Sequence, residues 1–547
     1  MMRTIRINQN TFVNSLLDGR KFLPFFLLLF ISPHLITAHS SFRLRLSAFP
    51  DIYRLNVCYN TGCLTNKKER GFMIRDRIIN FLSAHSDINT ALPLQQSETE
   101  SYKDLNELAG IVAAITGCSV CSEITVTSDI NGRLYLGFGR SQHTDPETCF
   151  FRSAFKVPVS VDSYTPEILI VTDPRSLTVT AEYHAGTADN TSRNSVMFDK
   201  EALDSILIND GSLLTASAPA GYPDGRTSTA YRPEHVRMDG VLENADIKLI
   251  PEHDVFLDRV RHIRNAINCS GSLLKKAVTA RKAVFTLNAE TAKDESFLLK
   301  TLTGLIYDRL SEPDSECHFY ASYTAPDSAD EGSLKPRLFV SFTPEKLFSI
   351  KSRSISCDAL AGSVSAEDAA TLLHDRKNLT ENRIVADYVS SKLSGICLDV
   401  RQSEQKLRKL SYITHLLVEI SGTHKDTPDA SEMIKLLHPT PATLGYPATE
   451  ALKILDECGA LISGDYAGIG GIRHHDESTA LVLLRSVTLT ADSITLYGGA
   501  GIMGESEPES EWKETGLKMT AVLRRISNEN TVRMLLDKIN SNKYSIR

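Results

Sequence analysis

The stretch GGAGIMGESEPESEWKETGLK, residues 498–518, decides how this chain is interpreted. Its glycine-rich opening, residues 498–501, follows an apolar run at 493–497 that is typical of a strand. The glycines are not followed by the Lys-Ser/Thr of a phosphate loop, and they do not fit G-x-G-x-x-G. We therefore expect this backbone to approach a small ligand closely rather than to cradle a nucleotide.

The second half of the stretch predicts a long helix over residues 506–526. It opens with a serine, and Pro508 stands in its first turn, as at many helix starts. Glu511, Glu514 and Lys518 are spaced i, i+3 and i+7, so they share one helix face. Two carboxylates on one face can hold a hard divalent cation such as Mg²⁺. The alternative for this spacing alone is a solvated charged face.

Two charged residues upstream are further candidates for a site. Glu381 aligns with Ile384, Val385 and Tyr388 on the apolar face of a predicted helix. A carboxylate there is costly unless it is paired or bound to a metal, although it could also lie at the edge of the apolar stripe. Lys276, in the strand-like run KAVTARKAVF, could face inward beside small residues and act as a base. Its alternative is a strand-end lysine in water.

The order of elements predicts an α+β fold rather than a parallel, doubly wound sheet, because strands and helices do not alternate regularly. We predict helices at 380–393 and 447–457, a hairpin from 481–489 and 493–497, a loop at 186–196 and a polar surface insertion at 312–336.

Composition excludes several classes of protein. The 547 residues carry 60 basic and 67 acidic side chains, a net charge of −7, which disfavours general nucleic-acid binding. Ten cysteines are too sparse for a disulfide scaffold. Cys118 and Cys121 form a lone C-x-x-C, which favours ordinary reduced thiols over a metal knuckle.

The N-terminal residues 1–50 look like an appended leader. Residues 22–32, FLPFFLLLFIS, are about half as long as the ~20 residues that a membrane span needs. They have the shape of a signal-peptide core, and an organelle-targeting leader or a misplaced start codon is the alternative. We expect no stable membrane insertion, and a cytoplasmic location or, if the leader directs it, an organellar one.

Nine motifs, in one order, resemble the chorismate-utilising enzymes. They are LKKAVTAR (274–281), FTPEKL (342–347), DALAGS (358–363), LTENRIV (379–385), ITHL (413–416), LHPTPATLGYP (437–447), DYAGIGG (465–471), LLRS (483–486) and GGAGIMGESEPESEWKET (498–515). The resemblance implies one large α+β domain, residues 55–540, in which two packed antiparallel sheets are surrounded by helices. Residues 266–540 bear the motifs, and residues 55–265 form the variable half.

The resemblance also implies roles for individual residues. Lys276 matches the base that activates water, and Glu345 matches the general acid. Glu381 and Glu514 match the Mg²⁺ carboxylates, with Glu511 close by and acting through water. The positions that match contacts to the substrate, chorismate, are Gly362, Ser363, His415, Ala442, Tyr466, Arg485, Gly499 and Lys518.

Three residues indicate a branch of the family. Lys276 implies that water rather than ammonia attacks, so no glutamine amidotransferase subunit is expected. Asp358 is acidic, as in the branch that forms isochorismate or salicylate, although Glu is usual there. Ala442 stands where enzymes that eliminate pyruvate usually have Thr. We therefore expect an Mg²⁺-dependent isomerase, monomeric, that adds water at C2 of chorismate and releases the C4 hydroxyl.

Other outcomes stay open at this point. The alternatives are a salicylate-forming enzyme and a non-catalytic chorismate-binding homologue. Asn382, Ser363 and Ser463 depart from the usual family residues, without removing the base, the acid or the metal carboxylates. Menaquinone, siderophore and salicylate routes all begin with isochorismate, and the sequence does not choose among them.

Overall fold

A computed structural model describes residues 123–141, 145, 147–176, 178–183, 194–197, 237–287, 297–311, 316–325 and 335–541. These residues all belong to one compact unit, residues 70–547. The leader at 1–50 and the Cys118–Cys121 pair lie outside them. Within the described ranges, no helix combines the length and the apolar character that a membrane crossing requires.

The larger of the two sheets, the first sheet, is antiparallel and has twelve strands in the described residues. Its order is β17 (Gly445–Tyr446), β9 (Lys276–Thr286), β21 (Ser493–Ile502), β20 (Ser486–Thr490), β11 (Arg337–Thr343), β10 (His318–Thr324), β1 (Glu123–Ser128), β2 (Leu134–Phe138), β5 (Ile168–Asp173), β6 (Thr178–Tyr183) and β7 (Asn194–Met197), with β8 (Asp246–Ile250) also paired to β9.

A second antiparallel sheet has nine strands. Its order is β14 (Cys397–Gln402), β16 (Ile413–His424), β13 (Ser354–Ser365), β12 (Lys346–Lys351), β19 (Glu477–Val482), β18 (Gly464–His474), β3 (Thr148–Phe155) and β4 (Asp162–Tyr164), with β15 (Lys406–Lys409) also paired to β16. The predicted α+β class with two antiparallel sheets is confirmed.

Helices cover both sheets. They are α1 (Asp239–Glu243), α2 (His253–Asn268), α3 (Phe297–Ser311), α4 (Arg376–Ser394), α5 (Ala430–Leu437), α6 (Ala448–Glu457), α7 (Pro508–Leu523) and α8 (Glu529–Asn540), with a 3₁₀ helix at Ala369–His374. Apolar residues of α2, α3, α7 and α8 join the first sheet in one core, and those of α4 and α5 join the second sheet in another. Within the described ranges, the two largest apolar cores thus lie one beside each sheet.

The predicted helices at 380–393 and 447–457 are confirmed as α4 and α6. The helix predicted over 506–526 is confirmed, but it is shorter, Pro508–Leu523. Its cap is Glu507, whereas the Ser506 hydroxyl accepts a hydrogen bond from the Met503 amide. The serine therefore shapes the turn before the helix instead of capping it.

Two local predictions are wrong, and a third is right in part. The insertion predicted at 312–336 contains the inner strand β10, whose Phe319, Tyr320 and Ala321 are buried between β1 and β11. Part of the loop predicted at 186–196 is strand β7. The predicted hairpin is confirmed where β20 pairs antiparallel with β21, but its first arm, 481–489, is divided between β19 of the second sheet and β20 of the first.

That divided arm is one of several places where the chain crosses between the sheets, and two of these crossings line the candidate site. One crossing runs from β11 to β12 and contains Glu345, and the other runs from β19 to β20 and contains Arg485. Backbone hydrogen bonds join them: Val482 N–H donates to the Glu345 carbonyl (3.1 Å), and Phe342 N–H donates to the Arg485 carbonyl (3.1 Å). The two crossings therefore place Glu345 and Arg485 close together.

Candidate active site

An open cleft of about 700 Å³ is lined by residues of both sheets and of helices α4 and α7. The structure brings to its walls nearly all of the site residues that the sequence predicts: Lys276, Glu345, Gly362, Ser363, Glu381, His415, Ala442, Tyr466, Arg485, Gly499 and Lys518. Glu511 and Glu514 do not line the cleft itself, but α7 holds them beside it through contacts described below.

Lys276 and Glu381 form a buried ion pair at the cleft wall. Strand β9 directs Lys276 and Val278 into the cleft, as the predicted alternation requires, and the Lys276 Nζ lies 2.8 Å from Glu381 Oε1. Gly501, opposite Val278 on β21, gives this pair its space. A Cβ at Gly501 would come within 2.6 Å of the Lys276 Cε, so only glycine fits there without a shift.

Helix α7 supplies two more carboxylates, each paired with a lysine. Glu514 lies 2.6 Å from the Lys518 Nζ and accepts a hydrogen bond from the Ser363 hydroxyl (2.6 Å). Glu511 lies 2.7 Å from the Nζ of Lys377, on α4. The cleft region thus contains three Glu–Lys pairs, with Lys276–Glu381 as the third.

The pKa values of the two α7 carboxyls move apart. Burial and the charge of Glu514 raise the pKa of Glu511. For Glu514, burial acts in the same direction, but the charges of Lys518 and Lys377 outweigh it and lower the pKa. Two interacting carboxylates, one of which stays ionised, are a suitable environment for a cation.

The donor chemistry of these residues fits Mg²⁺. Carboxylate oxygens are its preferred protein ligands, and it usually takes one or two of them together with water and substrate oxygens. In the described part of the chain, no group of three or more His, Cys, Asp or Glu side chains lies at metal-binding spacing. Glu381 and Glu514 are the residues that would hold such an ion.

Glu345 is a protonated acid at neutral pH. Its side chain is buried, and burial together with the charge of Asp358 raises its pKa to about 8, against the opposing effects of Lys276 and Arg485. Asp358 is itself buried, 3.4 Å from the Lys346 Nζ. Glu345 can therefore donate a proton inside the cleft.

Arg485 and His415 form a second buried group. The Arg485 guanidinium donates to His415 Nε2 (2.9 Å), which requires an imidazole with a free lone pair. Burial and the Arg485 charge hold the pKa of His415 well below its usual value, so the ring is neutral. Arg485 has a left-handed backbone (φ 49°), and its buried Nε has no hydrogen-bond partner within the described ranges. That N–H remains available for an anionic ligand.

Aromatic rings and a glycine form the remaining wall. Tyr466 stacks on Tyr497, with ring centroids 5.4 Å apart and planes 11° from parallel. A Cβ at Gly499 would lie 2.7 Å from the Tyr466 hydroxyl, and the Lys518 ammonium donates to the Gly499 carbonyl (3.0 Å). The backbone at Gly499 therefore lies close to a tyrosine of the cleft, and its expected approach to a small ligand stays a prediction.

Lys377, Tyr497 and Gly501 belong to this site, although sequence reasoning missed them. Lys377 precedes Glu381 by one helical turn, and that spacing could have identified it. Tyr497 and Gly501 flank the predicted Gly499 at alternate positions of β21, so strand alternation would have placed all three on one face.

Comparisons with known proteins agree with this geometry. A family model described as "Chorismate binding enzyme" matches residues 242–527. The chain is 31% identical over 203 residues to isochorismate synthase MenF of Bacillus subtilis, and 32% identical over 200 residues to that of Haemophilus influenzae. Each match covers 35% of this chain and less than half of the relative, 43% and 46% respectively.

A solved structure shows the same fold. The menaquinone-specific isochorismate synthase MenF of Escherichia coli aligns with a TM-score of 0.53, over 83% of this chain and 100% of that one, at 17% sequence identity.

Proposed function

Because the chain belongs to the family of chorismate-binding enzymes, we propose that it is an isochorismate synthase that converts chorismate to isochorismate with the help of Mg²⁺. The observation that carries the proposal is the presence of Lys276 and a protonated Glu345 in one cleft. Replacing one hydroxyl by another across a conjugated ring needs both a base and an acid. The names of the relatives support the same reaction.

Chorismate carries two carboxylates, and the cleft offers groups for both. Arg485, with its unpartnered Nε–H, can bind one carboxylate through charge-assisted hydrogen bonds, and Tyr466 and Lys518 line the cleft with it. The Glu381 and Glu514 carboxylates would hold Mg²⁺, with Glu511 acting through water. When bound, the metal supplies the positive charge that neutralises the other substrate carboxylate.

The chemistry then needs two proton transfers. Lys276 takes a proton from a water molecule as that water forms a bond to C2. The ring double bonds shift, the C4–O bond breaks, and Glu345 gives its proton to the departing hydroxyl, which leaves as water. One water enters and one leaves, so substrate and product are isomers. The base and the acid can serve both events because they line the same cleft.

Ala442 supports a reaction that ends at isochorismate. It lies in the cleft wall next to Thr443, and its methyl group supplies no hydroxyl where pyruvate-eliminating relatives usually have Thr. Elimination of pyruvate to salicylate is therefore the competing outcome that the product analysis has to separate.

The test is the product mixture that the purified protein forms from chorismate and Mg²⁺, resolved by chromatography. Isochorismate as the sole product is expected. Salicylate with pyruvate would replace the proposal by the lyase, and an aminated product in the presence of ammonia would refute the assignment to the water-using branch. Chorismate-dependent thermal stabilisation without turnover would identify a binding protein.

Lys276→Ala tests the base, and Lys275→Ala is its matched control. The two lysines are adjacent, but Lys276 is buried in the cleft whereas Lys275 is exposed. We expect Lys276→Ala to fold and to lose product formation, while Lys275→Ala keeps it. Normal turnover by Lys276→Ala would rule out the assigned base.

A further inference from the structure

Arg281 is a buried cation on the rear face of the strand that carries Lys276. Its side chain lies on the side of β9 opposite the cleft and is 2% exposed. The guanidinium lies flat over the Trp512 ring, 3.4 Å from the ring centroid. Its N–H groups donate to the Thr515 hydroxyl (2.7 Å), the Trp512 carbonyl (2.8 Å), the Ile539 carbonyl (3.2 Å) and the Asn540 side-chain oxygen (3.3 Å).

This charge has no carboxylate partner in the described part of the chain. Burial lowers the pKa of Arg281 to about 9, so the group still carries its proton at neutral pH. Burying a charge without an ion pair is costly, and dipoles and the ring face must stabilise it. If this position required only packing, an apolar side chain would fill it without the cost of burying a charge.

The contacts of Arg281 converge on the helix of the metal carboxylates. Trp512 and Thr515 each directly neighbour a predicted metal residue, Glu511 and Glu514 respectively. Gly498, paired with Arg281 across β9 and β21, lets the helix pack closely, because a Cβ there would collide with the Thr515 carbonyl. Strand β9 therefore holds α7 through Arg281, on the side of the strand that faces away from the cleft.

We propose that Arg281 is a positioning residue, which fixes the rotation and depth of α7 so that Glu511 and Glu514 are held beside the cleft, where Glu514 can bind a divalent cation together with Glu381. One arginine thereby fixes the position of α7, which carries the metal carboxylates, relative to β9, which carries Lys276. The inference rests on the proposed function, since it concerns the same cation site.

The experiment titrates Mg²⁺ alone into the full-length protein and follows the emission of Trp512, which is the only tryptophan in the chain. Arg281→Gln should weaken the apparent Mg²⁺ affinity by about 10- to 100-fold, as expected when a group that orients metal ligands is lost. Arg281→Lys keeps the charge but lacks the fork of donors. Its apparent Mg²⁺ affinity should lie between those of the wild type and Arg281→Gln.

Arg524→Gln is the matched control. Arg524 also stacks on a ring, 3.4 Å from the Tyr412 centroid, and it lies at the far end of α7, where it pairs with Glu529. It should lose stability without changing the Mg²⁺ affinity by more than about twofold. Equal Mg²⁺ affinities of Arg281→Gln and Arg524→Gln would overturn the proposal, and so would a wild-type protein that binds no Mg²⁺.

Gly516→Ala keeps the proposal testable if Arg281→Gln does not fold. Alanine favours a helix interior over glycine, yet a Cβ at Gly516 would press on the Asn540 side chain and lie 3.1 Å from the Arg281 guanidinium. Weaker Mg²⁺ binding in a helix of undiminished stability supports positioning by Arg281, and unchanged binding contradicts it.

The outcomes separate this inference from the proposed function. A wild-type protein that binds Mg²⁺ in an Arg281-dependent way but forms no isochorismate would refute the function and keep the inference. Isochorismate formation combined with an Mg²⁺ affinity that Arg281→Gln leaves unchanged would do the reverse.

Discussion

At the scale of single residues, the site depends on burial that is different for each ionisable group. Glu345 is buried beside another carboxyl, and its pKa rises to about 8. Glu514 is buried beside lysines, and its pKa falls. The same side chain can therefore act as a proton donor in one place and as an anionic ligand in another.

The pKa of Glu345 predicts the alkaline limb of the activity profile. Glu345 donates a proton only while protonated, so kcat should fall above about pH 8, roughly tenfold per pH unit. Glu345→Gln cannot transfer a proton, so its kcat should be at least about 100-fold lower than that of the wild type. Its pH profile should also lack the alkaline limb. Steady-state rates between pH 6 and 10 measure both effects. A wild-type decline that persists in Glu345→Gln would assign the limb to another group.

Gly501→Ala should damage the site without unfolding the protein. The added methyl meets the Lys276 and Glu381 side chains, so that this pair must move, and kcat/KM should fall about tenfold or more. Gly240→Ala, on helix α1 with nothing within 4 Å of the added carbon, is the control and should keep full activity. Equal activities of the two variants would show that the pair tolerates displacement.

At the scale of elements, helices with local signals could be predicted and several strands could not. The apolar spacing of α4 and the proline at the start of α7 lie within the helices themselves. In contrast, β10 lies in a polar, Asp- and Ser-rich neighbourhood, and it is an inner strand because β11 pairs with one edge and the distant β1 pairs with the other. The arm at 481–489 was predicted only in part, because the left-handed Arg485 redirects the chain from one sheet to the other.

The same distinction applies to the candidate site. Motif order gave the residues that line the cleft, because the family pattern already contains three-dimensional information. The spacing from Glu381 could have indicated Lys377, but its contact with Glu511 depends on the packing of α4 against α7, which the sequence does not show. The partners of Arg281 likewise come from distant elements, α7 and the end of α8.

The N-cap of α4 should influence the site, because this helix carries both Glu381 and Lys377. The Asp375 carboxylate accepts a hydrogen bond from the Asn378 amide (3.0 Å), and Asp375→Ala should lower the free energy of unfolding by about 1 kcal/mol. Fraying of the first turn should also raise the Mg²⁺ concentration for half-maximal activity. Asp429→Ala removes the equivalent cap of α5, and we expect the same loss of stability with no change in Mg²⁺ dependence. Denaturant titration measures the loss of stability in each variant, and rates at varied Mg²⁺ concentration measure the change in Mg²⁺ dependence.

At the scale of the whole molecule, the two sheets share one cleft, and two of the chain crossings between them, β11 to β12 and β19 to β20, carry Glu345 and Arg485. The relative position of the proposed acid and the proposed substrate-binding arginine therefore depends on how one sheet is held against the other. Two histidines of the fold are neutral, the half-buried His318 of β10 and the buried His438 that follows α5, because desolvation lowers the pKa of each to about 3.

These histidines predict a loss of stability in mild acid. Unfolded histidine takes up a proton near pH 6.5, whereas folded His438 stays neutral until about pH 3, so unfolding binds protons in between. Each such group lowers the free energy of unfolding by about 1.4 kcal/mol per pH unit over that window. His438→Leu should reduce the slope of the free energy of unfolding against pH by the contribution of one histidine. Denaturant titrations at pH 4.5 to 7 measure this slope. An unchanged slope would mean that His438 is protonated in the native state.

The three Glu–Lys pairs beside the cleft have a consequence for the ionic-strength dependence of binding. Lys276–Glu381, Lys377–Glu511 and Lys518–Glu514 add up to zero charge, and a dianionic substrate entering with a divalent cation adds none. Dissolved salt screens net charge over distances of about 10 Å at 0.1 M. The two ligands together should thus bind almost independently of salt, although either one alone would not. A mildly acidic enzyme can in this way accept an acidic metabolite without a positively charged surface to attract it.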